Sequence, residues 1–443
     1  MKKLLTGLMS ISIGVSSATS AVACGGKKQF NDVYLVTDAG RINDKSFNES
    51  GKTAGDIFIK DILKVNANDE YSGIGFNEPE DISKIIDGYE TAKAAGAKVA
   101  ILPGFHHDGD NIKKASEILG NDATEIVIDV KNTQKIPTAI GLMYKADMSG
   151  FYAGISSIYQ SIKDKNYKDN KVKLATFGGQ SNYFAVELFM VGFLSAIQVF
   201  NELKTTDELA SVFKDLDYKN IEASKIDAQK TTPIDGNDKN WYSTSFNSGE
   251  GKNISEVIVN QEPNVVMAVA GPQTADLLGV IKAKNKQDSI KVVGVDTNQA
   301  EAYASDYSNS FITSAEKNIK DSTVIALGSS KAYHDNETVK ANIVNYYKDK
   351  NLHMTFDEDD MDIKESLGKD LSGKTLWTEG DLSFGGNNSL SKESADLIKS
   401  KFTVDILKDA STNFFSKAST YKASDLLSAI KEYADLVLNK FEK

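Results

Sequence analysis

Three carboxylates stand at the ends of apolar runs in this 443-residue chain: Asp38 after "VYLVT", Asp129 within "EIVIDV" and Asp296 after "VVGV". Small, permissive residues accompany them, in Asp38-Ala39-Gly40, Pro103-Gly104-Phe105, Gly178-Gly179, Gly271-Pro272 and Asp296-Thr297-Asn298. Glycine lets a backbone approach a bound molecule closely, and a carboxylate accepts hydrogen bonds from hydroxyl and N–H donors. A single carboxylate in such a place can equally be a helix cap. Several on strand edges that face one crevice favour a site for a small polar molecule.

Other clusters offer less chemistry. "HHDGD" (106–110) sets two of the four histidines beside two aspartates, types that suit zinc or iron, but no further histidine lies nearby. "SGEGK" (248–252) resembles part of a phosphate loop, yet the position that needs its first glycine is Phe246, so the pattern fails. There is no Gly-x-Ser-x-Gly elbow and no other evident nucleophile. Paired carboxylates for glycoside hydrolysis stay open on abundance alone. The expectation is a binding protein rather than an enzyme, with no metal and no cofactor.

The elements that must carry these residues follow from the hydrophobic pattern. Strands are expected at 32–38, 97–104, 125–130, 171–179, 264–271, 290–296 and 310–316, and helices at 82–96, 184–204 and 274–286, where apolar residues recur at the 3.6-residue period. Strand–helix alternation with short connections predicts parallel sheets covered on both faces. Seven strands over this length fit two sheets better than one. In open parallel sheets ligands sit beyond the carboxyl ends of the strands, where the residues above lie. Beyond about residue 340 the pattern changes. An acidic run, Asp357 to Asp362, fits no EF-hand spacing; "SGKTLWTEGDLSFGGNN" reads as a hairpin or extended arm; 424–443 reads as an amphipathic helix packing on one lobe.

Composition is ordinary for a globular protein, 40% hydrophobic and 26% charged, with a net charge of -11. That acidity argues against a nucleic acid partner, since phosphate binding needs a basic face. The one cysteine, Cys24, excludes an internal disulfide. It follows a leader with Lys2 and Lys3, an apolar run from Leu4 to Val15, and Ala21-Val22-Ala23. This is the pattern of a secretory signal. The apolar part is shorter than the about 20 residues a transmembrane helix needs, and no other stretch is apolar enough to span a bilayer. Ala-Val-Ala before Cys24-Gly25-Gly26 resembles a bacterial lipobox, in which the cysteine is lipidated; Ala21 stands where that motif usually has leucine. The expected location is the outer face of the cell membrane, with a soluble body on a lipid anchor.

"DAGRINDKSFNES" (38–50) resembles the D-G-G-x-x-D-D-K-S-F-N signature of the basic membrane protein family, which includes purine-nucleoside receptor lipoproteins of ABC importers. Asp38, Gly40, Asp44, Lys45, Ser46, Phe47 and Asn48 keep register; Ala39 and Asn43 depart. "VIDV", "FYAGISS", "FGGQSNYFAVELFMVGFLSA" and "SFNSGEGKNISEVIVNQEPNVVMAVAGP" are similar to further segments of the family, and "VVGVDTNQ" with "ITSAEK" resembles its I-G-V-D-S-D-Q and S-M-x-K pair. The likeness covers about residues 30 to 330.

The resemblance implies a type I periplasmic-binding-protein fold: two Rossmann-like lobes joined by a three-stranded hinge. The corresponding division is 1–23 signal, 24–30 tether, 31–142 with about 297–316 as the first lobe, 143–296 with about 317–340 as the second, and 341–443 as a C-terminal extension. It also implies a purine nucleoside as ligand and an ABC permease as partner for a monomeric protein. Phe47 would stack on the base, with Phe246 as the opposite wall. Asp38, Asp129 and Asp296 would accept from ribose or base donors, beside Ser46 and Asn48. Lys317 would donate to a ribose oxygen or hold Asp296, and Gly271 and Pro272 would admit the ligand to the backbone. The residues themselves leave other readings open: a binder of another polar ligand such as a sugar, a surface nucleoside or glycoside hydrolase, or an adhesion lipoprotein.

Overall fold

The computed structural model describes residues 27–441 apart from 39, 66–67, 234–237, 349–353, 357–366 and 418–421. The leader, Cys24, Ala39 and the acidic run 357–362 therefore lie outside the described residues.

Two sheets organise the chain. The first runs in the order β11-β12-β5-β4-β3-β1-β2, from β1 (Lys28–Val36), β2 (Tyr71–Asn77), β3 (Val99–Pro103), β4 (Thr124–Ile128), β5 (Ala139–Lys145), β11 (Met354–Phe356) and β12 (Thr375–Glu379). All its pairings are parallel except β11 with β12. The second runs β13-β10-β9-β8-β6-β7, from β6 (Lys171–Gly178), β7 (Glu222–Lys225), β8 (Val265–Val269), β9 (Lys291–Asp296), β10 (Phe311–Glu316) and an antiparallel β13 (Asp381–Leu382). Successive strand residues face opposite sides, and both sides are apolar. In β1, Val33 and Leu35 join one core while Tyr34 and Val36 join another. This double burial explains why the seven expected strands read as continuous apolar runs.

The strand β1 begins at Lys28, so Lys28 to Phe30 are strand rather than tether. They pair with β2, and the Phe30 ring packs edge-on against Tyr71 at 5.3 Å.

The lobe boundaries also differ from the expected ones. Strand β10 lies beside β9 in the second sheet, as consecutive strands usually do. Residues 297–316 therefore belong to the second lobe. The following helix α9 (Ile319–Gly328) buries Ile319, Val324 and Leu327 in the first lobe's core, as α10 (Glu337–Tyr347) does Val339 and Ile343. The C-terminal segment serves both lobes. β12 pairs with β5, Gly380 intervenes, and β13 pairs with β10. The chain thus crosses between lobes three times: after β5, after β10 and between β12 and β13. Of the two forms expected for this segment, hairpin or extended arm, the structure shows the extended one, which crosses between the lobes. Three further helices, α11 (Lys392–Lys401), α12 (Val404–Lys417) and α13 (Leu426–Leu438), cover the second lobe.

At the centre of that lobe, α4 (Ala146–Lys163) packs on α5 (Phe184–Leu203). Glycines permit the contact: a Cβ on Gly192 would lie 2.0 Å from the Asp147 carbonyl oxygen, and one on Gly154 would lie 2.3 Å from that of Phe193. By length and composition α5 could cross a membrane, contrary to the expectation that no such stretch follows the leader. It is instead a core helix, with 83% of its most apolar window buried.

Candidate ligand-binding cleft

The tips of β1, β3 and β4 in one lobe face the loops after β8, β9 and β10 in the other across a cleft enclosing about 620 Å³ of space, open to solvent. The segment after β1 is built around Asp44. Its carboxylate accepts from the backbone N–H of Ser46 (2.9 Å), Asn48 (3.0 Å) and Glu49 (3.2 Å) and from Asn48 Nδ2 (2.9 Å). Burial raises the Asp44 carboxyl above its ordinary range, and these four donors pull it back toward ionisation. Asp44 thereby satisfies free N–H groups of the first turn of α1 (Phe47–Ile57). Lys45 takes a left-handed backbone, φ 56°, and its N–H donates to Glu49 Oε2. The result fixes where Ser46 and Phe47 emerge.

Asp129 and Asp296 form a matched pair, one from each lobe. Both have left-handed backbones, φ 63° and 67°, an uncommon state for non-glycine residues that concentrates at functional sites. Between them lies Lys317, just past β10. Its Nζ is 2.6 Å from Asp129 Oδ2 and 3.4 Å from Asp296 Oδ1. Burial works against the Lys317 ammonium, but the two carboxylates outweigh it and hold the lysine above its ordinary value. Burial pushes Asp129 up to about 6, restrained by Lys317, so at neutral pH the pair is ionised. The Lys317 ammonium also lies 4.9 Å from the centre of the Phe189 ring and 5.5 Å from that of Phe47, within cation–π range.

Direct contacts join the lobes here. Ser46 Oγ donates to Asp296 Oδ2 at 2.9 Å. Lys45 Nζ donates to the Ala302 carbonyl at 2.8 Å, beside the Tyr303 ring. Phe105 of the first lobe packs on Tyr183 at 4.6 Å and Phe246 at 5.6 Å from the second.

All ten residues expected to bind ligand line this one cleft: Asp38, Ser46, Phe47, Asn48, Asp129, Phe246, Gly271, Pro272, Asp296 and Lys317. Lys317 reaches Asp296 as expected but lies nearer Asp129, and Phe246, on the second lobe's side of the cleft as expected, rests on Phe105 and Tyr183. Phe105 and Phe189 also line the cleft without having been assigned a role. Phe105 follows a Pro-Gly strand exit, a usable signal. Phe189 sits within the uniformly apolar α5, where nothing in the sequence distinguishes it from its neighbours. The two histidines of "HHDGD" part company: His106 faces Asp38, and His107 faces Tyr89.

No protein-family model matches the chain, and no curated protein matches it. Solved structures do. A solute-binding protein of an ABC transporter system from Aeropyrum pernix K1 is 14% identical, with 93% of this chain and 92% of that one covered and a TM-score of 0.54. A solute-binding protein from Conexibacter woesei DSM 14684 is 10% identical over 88% and 99% of the two chains, at a TM-score of 0.48. A transcriptional activator of the comK gene from Bacillus halodurans is 11% identical over 87% and 98%, at 0.46. Together with the two sheets and the three chain crossings between them, the first of these shows the fold: the chain has the type I periplasmic-binding-protein fold.

Proposed function

We propose that the chain is the substrate-binding protein of an ABC importer and takes up a purine nucleoside between its lobes. The observation that carries this reading is the composition of the cleft. Aromatic rings of Phe47, Phe105, Phe189 and Phe246 share it with Asp38, Asp129, Asp296 and a buried Lys317. A nucleoside is likewise divided, with a flat base for the rings and donor-rich hydroxyls for the carboxylates. Stacking of a base on an aromatic ring contributes about 1–3 kcal/mol. Hydrogen bonds to charged groups are the strong kind.

The likeness of "DAGRINDKSFNES" to the basic membrane protein signature supports the nucleoside, and the fold shared with a transporter solute-binding protein supports the importer. Binding would bridge the lobes and favour closure at the three crossings, which a permease can read. The secretory pattern of the leader and the lipobox-like setting of Cys24 support a lipid anchor outside the cell for such a receptor.

Calorimetric titration with adenosine, guanosine, inosine, cytidine and ribose tests the reading. Purine nucleosides bind below millimolar and ribose does not; absence of purine binding in that range overturns it. Chromatography of the nucleoside after long incubation tests for hydrolysis, and recovery of intact nucleoside is expected.

A further inference from the structure

The fold gives the adjacent histidines of "HHDGD" different tasks. His107 is fully buried, and its Nδ1 lies 2.7 Å from the Tyr89 hydroxyl. That contact ties the 3-10 turn Phe105–His107 to α2 (Ile85–Ala94). His106 points into the cleft wall, with Nδ1 3.1 Å from Asp38 Oδ2 and the two side chains 17% and 11% exposed. An ionised carboxylate only accepts, so a hydrogen bond between the two requires the hydrogen on Nδ1. Gly104 makes room for the pairing. Its φ is 111°, and a Cβ there would lie 1.8 Å from Asp38 Oδ2. The tip of β3 therefore supplies both the space and the donor for the carboxylate at the tip of β1.

Of the other three cleft carboxylates, Asp129 and Asp296 are engaged by Lys317, Asp296 also by Ser46, and Asp44 by the N–H groups of Ser46, Asn48 and Glu49. Among the described residues, the hydrogen-bonding partner of the Asp38 carboxylate is His106. We propose that His106 is a positioning residue: by donating Nδ1–H to Asp38 Oδ2, it fixes the carboxylate so that the second oxygen accepts from an N–H or O–H donor of the ligand. The ligand part of this inference rests on the nucleoside reading; the pairing itself does not.

The test has two arms on the whole mature chain. In the first, inosine and adenosine are titrated into wild type, His106→Ala, His106→Asn, Asp38→Asn and the Asp38→Asn/His106→Ala double variant. The asparagine amide can take the place of Nδ1–H, so His106→Ala weakens binding about tenfold and His106→Asn restores most of it. In the Asp38→Asn background the alanine substitution has little further effect, since the two residues act as one unit. Wild-type affinity in His106→Ala overturns the proposal, as does an asparagine variant as weak as the alanine. The second arm needs no ligand. Imidazole nitrogen NMR of the free protein shows His106 as the Nδ1–H tautomer, reverting toward Nε2–H in Asp38→Asn. An Nε2–H tautomer in wild type overturns the pairing. Absence of nucleoside binding by wild type refutes the nucleoside reading instead, and the tautomer then decides the pairing alone.

Discussion

Lys317 Nζ lies 2.6 Å from Asp129 Oδ2, with 4% and 2% of the two side chains exposed, so an ion pair at the lobe boundary is almost wholly withdrawn from water. Removing one member of such a pair strands the other. Lys317→Met is expected to destabilise the protein by about 3–5 kcal/mol. Adding Asp129→Asn recovers much of the loss, because asparagine tolerates the left-handed backbone and carries no charge. Urea denaturation of the three variants checks this; a Lys317→Met loss under about 1 kcal/mol would contradict it.

Stability should rise as pH falls from 8 to about 5.5. Burial pushes Glu125, Glu187 and Glu316 up to about 7, and Asp129 and Asp147 up to about 6. Each is raised above its unfolded value near 4, so ionisation costs stability above the folded value, and the cost vanishes toward the unfolded one. His107 acts oppositely. Burial lowers it to about 4, so stability is lost as pH falls below about 6.5. Lys317 is raised, so its contribution holds throughout this window and is lost only at alkaline pH. Five carboxyls against one imidazole set the sign. Melting temperature against pH measures it, and Glu125→Gln should stabilise at pH 8 but not at pH 5.

The α4–α5 contact leaves no space for a methyl group. Gly192→Ala would set a Cβ 2.0 Å from the Asp147 carbonyl oxygen, backbone that cannot swing aside as a side chain can. A loss of about 1–3 kcal/mol is expected, with the denaturation midpoint as readout. Gly279→Ala, where a Cβ meets nothing within 4 Å, serves as the tolerated control.

Phe47→Ala should weaken purine nucleoside binding roughly tenfold if the ring stacks on the base. Phe47 also faces the Lys317 ammonium, so Phe47→Leu separates stacking from simple filling of space. Loss in both variants points to the aromatic face; affinity retained in both removes Phe47 from the site.

Cys24→Ser should release the protein from the membrane into the medium. The mass of the mature wild-type N-terminus should exceed that of the bare chain by the acyl groups. An unmodified Cys24 would leave secretion without an anchor.

Much of the strand framework was legible because parallel strands buried on both faces are continuous apolar runs. β1, β3, β4, β6, β8, β9 and β10 all announce themselves that way. β2 and β7 do not. β2 contains Ser72, Gly73 and Gly75, and β7 is the four residues Glu222–Lys225 at a sheet edge. The cleft residues at strand tips were legible by type, because carboxylates and glycines there break the apolar pattern. Their partners were not. Nothing local pairs Lys317 with Asp129 across 188 positions, or Asp38 with His106 across 68. The lobe assignment of 297–340 was misread for a related reason: pattern identifies a strand, but only pairing says which sheet receives it.

The three crossings also set when the molecule can finish folding. The first lobe needs α9, α10 and β12, and the second needs β13 and the helices after it. A chain emerging N-terminus first, from a ribosome or a translocation pore, exposes the open edge of β5 until Thr375–Glu379 arrives. The edge of β10 likewise waits for Asp381 and Leu382. Unpaired edges of this kind recruit strands from other chains. Production of this protein should therefore be governed by how well its surroundings shield those two edges during synthesis.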